Sequence, residues 1–179
     1  HTEQYKMTQF EVCENLNGCL LGLDEIENIS EIEQKLYAFL KNQDIDLLTS
    51  SEKYTTALVN YPHYKAINLE KYLLKRENSV ERLFSLAHEI GHFLDMKFNH
   101  NGDADRFQYV YSNHMNKMEV VAWAYAWKVL ESLGCTLKQE FMKLAHECLS
   151  SYIGSSQKAL VVLQAMDVIV EEYEKMFKC

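Results

Sequence analysis

Apolar positions along the chain fall into two rhythms, a helical one that dominates and a strand-like one confined to a short stretch. Ile32, Leu36, Tyr37 and Leu40 form a stripe behind Ser30-Glu31-Ile32-Glu33, a capping-box signature. A helix is therefore expected from Ser30 to about Asn42. Thr55 to Tyr61 is rich in residues that favour a pleated backbone, and Pro62 closes it because proline cannot donate to a ladder. This predicts a strand, with Lys65-Ala66-Ile67-Asn68-Leu69 as its hairpin partner. Val80, Leu83, Phe84, Ala87, Ile90 and Leu94 return to helical spacing, with Ser79 the expected N-cap. Met118 to Leu130 reads as the next helix, stopped at Gly134. Thr136-Leu137-Lys138-Gln139 opens another, to about Tyr152, and Ser155 or Ser156 opens a last one through Met176. Ahead of Ser30, Phe10-Glu11-Val12 and Cys19-Leu20-Leu21 read as short strands, with a turn signal at Asn17-Gly18.

These elements predict an α+β fold, mostly helical, with a small antiparallel sheet or hairpin ahead of the central helix. One domain over residues 1–179 is expected, its informative motifs within 55–134 and its C-terminal helices within 136–178. A composition 47% apolar with a single proline agrees with a helical domain that has a real core. No run of 18 apolar residues is present, so no membrane span is expected. The five cysteines are scattered and contain no C-x-x-C pair. That suits reduced thiols, hence a cytoplasmic setting, better than a disulfide framework or a cysteine zinc site. A net charge of −8 without a basic cluster argues against direct nucleic-acid binding.

The central helix carries the chemistry. It contains His88-Glu89-Ile90-Gly91-His92, the His-Glu-x-x-His pattern. On an α-helix the two histidines lie about 40° apart around the axis and about 6 Å apart along it, which suits two imidazoles on one Zn²⁺. Glu89 lies roughly 60° further round, outside a third ligand's reach but near water at the metal. It is the expected general base. Gly91, a poor helix former, makes sense where something must approach the backbone closely. The plain alternative is two ordinary histidines on a helix, but buried histidines without a partner are costly.

Two histidines leave zinc one protein ligand short of the usual catalytic set. Glu119 shares a helix face with Ala122, Trp123 and Ala126, and a carboxylate on a mostly apolar face needs a partner. We expect Glu119 to be the third ligand of a His₂Glu site holding one Zn²⁺ per chain; otherwise it is a first-turn acid favourable to the helix dipole. Tyr109, Tyr111 and His114 are each weighed as oxyanion donors, with packing or surface roles as the alternative. His100 lies in a turn-rich stretch, where a solvated histidine is the simpler reading. His146 repeats the Leu-Ala-His-Glu string but lacks a second histidine. The hairpin offers an edge to which an extended peptide adds as a strand, through Ala66, Ile67 and Asn68; the alternative is a capping sheet with no ligand.

Together, Arg82-Leu83-Phe84-Ser85-Leu86-Ala87-His88-Glu89-Ile90-Gly91-His92 and Glu119-x-x-Ala122-x-x-Tyr125-Ala126-x-x-Val129-Leu130 resemble the paired motifs of the ImmA/IrrE family of zinc metallopeptidases. The likeness covers roughly Ala66 to Leu130, and Ala66 to Leu69 stands where that family has its active-site edge strand. A metzincin is excluded, because Asp95 and Phe98 stand where that pattern needs glycine and histidine. The resemblance implies a gluzincin-like cytoplasmic endopeptidase that cleaves a DNA-binding repressor. A repressor is usually basic and would complement the acidic chain. The competing expectation is a non-catalytic zinc-binding regulatory or anti-repressor module, its metal closed by a fourth ligand such as His100 or His114.

Overall fold

A computed structural model describes residues 4–7, 29–53, 56–61, 63–99 and 115–153. The fold is α+β and mostly helical. The strands are β1 (Gln4–Met7), β2 (Ile45–Ser50), β3 (Ala57–Tyr61) and β4 (Tyr64–Glu70). The helices are α1 (Ile29–Asn42), α2 (Ser79–Asn99), α3 (Met115–Ser132) and α4 (Lys138–Ile153). The chain forms two compact units, residues 1–87 with 130–136, and residues 88–129 with 137–179. Among the described residues no helix is long and apolar enough to cross a membrane.

In the first unit, α1 buries Ile32, Leu36 and Leu40 on the stripe expected from their spacing, and packs against β2. Asp44 adopts a left-handed backbone, φ 56°, and turns the chain into β2 within two residues of the helix end. The four strands lie in the order β1-β2-β4-β3. The predicted hairpin is present, with Leu58 opposite Ile67 and Val59 opposite Ala66 in an antiparallel ladder. The sheet is mixed rather than antiparallel throughout, because β2 runs parallel to β4, pairing Leu47 with Ile67 and Leu48 with Asn68.

That pairing corrects one expectation. Ala66, Ile67 and Asn68 were expected at an open edge, yet β4 is bonded on both sides and all three residues are buried. Its backbone groups are already used, so no peptide can add there. The outer strands among the described residues are β1 and β3.

Two short 3₁₀ turns, Lys71–Leu74 and Arg76–Asn78, lead into α2. They leave Ser79 inside the helix (φ −64°, ψ −34°), where its hydroxyl donates to the Arg76 carbonyl at 2.7 Å instead of capping. Glu33 also departs from its expected cap role, for a chemical reason. Its carboxylate accepts from Arg82 Nε at 2.7 Å, Arg82 Nη2 at 3.3 Å and the Tyr37 hydroxyl at 2.6 Å. Arg82 is fully buried and donates its remaining bonds to the carbonyls of Leu73 (2.7 Å) and Lys75 (3.4 Å). A buried ion pair repays its desolvation only when its other polar atoms are bonded as well, and here they are.

In the second unit, the later part of α2 buries Ile90, Phe93 and Met96. In α3, Met118 and Val120 through Trp127 are all buried, the pattern of a helix enclosed on every side. Phe141 of α4 is fully buried against it, its ring 5.5 Å from that of Trp123 and 5.3 Å from that of Trp127. In the first unit, which includes residues 130–136, the expected stop at Gly134 is a Schellman turn. Gly134 has φ 95°, Cys135 N donates to the Leu130 carbonyl at 2.9 Å, and Gly134 N donates to that of Glu131 at 3.0 Å. The proposed strands at 10–12 and 19–21 and the last helix lie outside the described residues.

Candidate metal centre

All parts of the site belong to the second unit. His88 and His92 stand one turn apart on α2, and their rings meet edge to face at 4.6 Å between centroids and 62° between planes. Glu119 reaches them from α3. Its Oε2 lies 3.0 Å from His88 Nε2 and its Oε1 lies 3.3 Å from His92 Nε2. The three side chains are 15%, 11% and 13% exposed, which leaves a narrow approach to atoms otherwise withdrawn from water. Glu89 is buried, with Oε1 3.4 Å from His88 Nδ1.

α2 and α3 can deliver these ligands because their backbones nearly touch. A Cβ placed on Gly91 would stand 2.0 Å from the carbonyl oxygen of Ala122, so only glycine fits between the two histidines. Ala122 sits three residues after Glu119, within the same turn. The close approach expected at Gly91 is thus its contact with the Ala122 backbone of α3.

The donor set fits a zinc ion. One donor atom from each of His88, His92 and Glu119 lies within 4.8 Å of the others, and among the described residues these three form the group able to hold a metal. Two ligands of a tetrahedral zinc stand roughly 3.4 Å apart. The His88–Glu119 and His92–Glu119 separations of 3.0 and 3.3 Å are close to that.

Burial and neighbouring groups also shift the protonation of His88 and Glu119. Burial opposes a charge on His88, but hydrogen bonds to Glu119 and Glu89 and the charges of both outweigh it, and its pKa is pushed up to about 9. Burial likewise opposes ionisation of Glu119. The neighbouring charge of His92 and the hydrogen bonds from both histidines prevail, and its carboxyl is held well below the usual range. The pocket therefore keeps a carboxylate and gathers positive charge between its ligands.

The predicted residues divide clearly. His88, His92 and Glu119 come together, with Glu89 beside them. Tyr109, Tyr111, His114 and His100 lie outside the described residues. His146, on α4, is not part of the group. Sequence reasoning missed Trp123, whose indole lies flat on the His88 imidazole at 4.1 Å with 12° between planes. Its spacing of four residues from Glu119 was the available signal. No known family model, curated protein or solved structure matches the chain.

Proposed function

We propose that this chain is a zinc-dependent endopeptidase in which His88, His92 and Glu119 hold one Zn²⁺ and Glu89 is the general base. The observation that carries the reading is the convergence of two imidazole Nε2 atoms on one carboxylate, with a further carboxylate buried beside them. When bound, zinc supplies a Lewis acid that polarises a carbonyl and makes water more acidic. Glu119 offsets part of the metal's charge as the third ligand. Glu89 accepts a proton from the attacking water and returns it to the departing amine, which lets one carboxylate serve both halves of the hydrolysis.

The substrate belongs to the same proposal. A chain of net charge −8 suits a basic protein, and the resemblance of the two motifs to the ImmA/IrrE metallopeptidases suggests a DNA-binding repressor in the cytoplasm. The test is incubation of the zinc-loaded protein with a proteome-derived peptide library, with new N-termini mapped by mass spectrometry. Wild-type protein is expected to cut, and Glu89→Gln is expected to bind zinc equally but to cut at least about 100-fold more slowly. Cleavage by Glu89→Gln at the wild-type rate contradicts the mechanism. Stoichiometric zinc with no cleavage in either protein favours the non-catalytic binding module.

A further inference from the structure

We propose that Trp123 is the positioning residue of this metal site, its indole clamping the His88 imidazole in the orientation that ligates the ion. The inference rests on the zinc-site reading above and extends it to a residue outside the ligand set.

An imidazole on a helix is free to turn about its Cβ–Cγ bond, and a ligand nitrogen is useful only at one setting of that torsion. His88 is held in two perpendicular directions. At the ring edge, Nε2 lies 3.0 Å from Glu119 Oε2 and Nδ1 lies 3.4 Å from Glu89 Oε1. Across the plane, the Trp123 indole covers one face at 4.1 Å and 12°. Turning the ring would drive its edge into the indole. The carboxylates alone cannot prevent this, because Glu119 must reorganise when it accepts a metal. The stack involves neither carboxylate, so it constrains the ring independently of them.

Trp123 is itself fixed. It is buried at 2% exposure, and Phe141 of α4 meets its ring at 5.5 Å and 67°, an edge-to-face contact. A chain of ring contacts thus runs from α4 through Trp123 to the ligand. Trp123 also stands four residues after Glu119, on the same face of α3, so one helix face supplies both a ligand and the clamp for another ligand.

Among the described residues the buried Trp123 Nε1–H has no hydrogen-bond acceptor. An unmet buried donor costs roughly 1–3 kcal/mol, which phenylalanine would avoid. What tryptophan adds over phenylalanine is a wider and more electron-rich face against an imidazole. Partners that orient a ligating histidine typically change metal affinity by about 10–100-fold when removed.

The experiment measures Zn²⁺ affinity by competition with a fluorescent chelator for wild type, Trp123→Phe, Trp123→Leu and Trp127→Leu. Trp127 is the control, because it also packs on Phe141, one turn further along α3. Circular dichroism and thermal unfolding of each metal-free variant report folding separately. In parallel, emission is recorded from Trp127→Phe, in which Trp123 is the remaining tryptophan of the two in the chain. We expect Trp123→Leu to weaken zinc binding about 10–100-fold while staying folded, Trp123→Phe to recover part of that loss, and Trp127→Leu to stay within about threefold of wild type. Zinc is expected to change the Trp123 emission. Wild-type affinity in Trp123→Leu overturns the proposal, as does equal weakening in Trp127→Leu or an emission indifferent to zinc. Absence of zinc binding in the wild type itself overturns the metal-site reading, and this inference with it.

Discussion

Replacing Gly91 with alanine tests the helix crossing on which the site depends. The added methyl would lie 2.0 Å from the Ala122 carbonyl oxygen, 2.9 Å from its carbon and 3.2 Å from its Cα, all backbone atoms that no rotamer change can move. A carbon and a carbonyl oxygen normally stand at about 3.3 Å or more, so α2 and α3 must separate by roughly 1.3 Å. Alanine gains about 1 kcal/mol of helix propensity over glycine. Overpacking a close contact typically costs about 1–3 kcal/mol and more when only backbone can yield, so destabilisation wins by about 2 kcal/mol. For a chain of this length that lowers the melting midpoint by roughly 4–8 °C. The larger consequence falls on the metal. Ligand distances tolerate only about 0.2 Å, and the crossing lies between His88 and His92 on one side and beside Glu119 on the other. Zinc affinity should therefore drop by more than about tenfold, out of proportion to the stability loss. Gly134→Ala is the contrast, since nothing lies within 4 Å of its added Cβ and only its φ of 95° is strained. It should lose about 1 kcal/mol and keep its zinc affinity. Thermal unfolding and chelator competition read both effects. A Gly91→Ala protein as stable as wild type with unchanged zinc affinity refutes the close crossing.

Arg82→Leu should cost about 3–5 kcal/mol in a urea titration, because it strands the Glu33 carboxylate in the interior; adding Glu33→Leu should recover much of that loss. Additive losses in the double variant would argue against a direct pair. In the zinc-free protein, the His88 pKa of about 9 lies above its ordinary 6.5. The stability this contributes is fully present below pH 6.5 and is lost as pH rises through 9, amounting to about 3 kcal/mol at most. Denaturant unfolding at pH 6 and pH 9.5 measures it, and a His88→Gln variant should lack the decline. Zinc needs the neutral imidazole, so its affinity should run the other way, rising with pH towards 9 with proton release on binding. Calorimetry in buffers of different ionisation enthalpy detects the proton, and binding without proton uptake by the buffer at pH 7 contradicts the account.

What could be read from the sequence was local. His88, Glu89 and His92 lie within one turn and a half of a helix whose apolar stripe is regular, and Glu119 stands out as a carboxylate in an apolar run. Both signals survive without knowledge of distant contacts. β2 was not legible, because Ile45 to Ser50 is a short run buried almost throughout and lacks the alternation that marks a half-exposed strand. Missing β2 turned β4 from an inner strand into an apparent edge, and so misplaced Ala66, Ile67 and Asn68. Glu33 satisfied a capping pattern on its own, and only Arg82, 49 residues away, shows why it is buried instead. The stacking of Trp123 on His88 is of the same kind: its spacing from Glu119 places it on the correct face, but the ring it covers comes from another helix.

The most direct test of the central claim is the metal content of purified protein by inductively coupled plasma mass spectrometry, beside Glu119→Ala and His146→Ala variants reconstituted with zinc. The account predicts about one zinc per chain in wild type, its loss in Glu119→Ala and its retention in His146→Ala. Zinc indifferent to Glu119, or no zinc in the wild type after reconstitution, would contradict it.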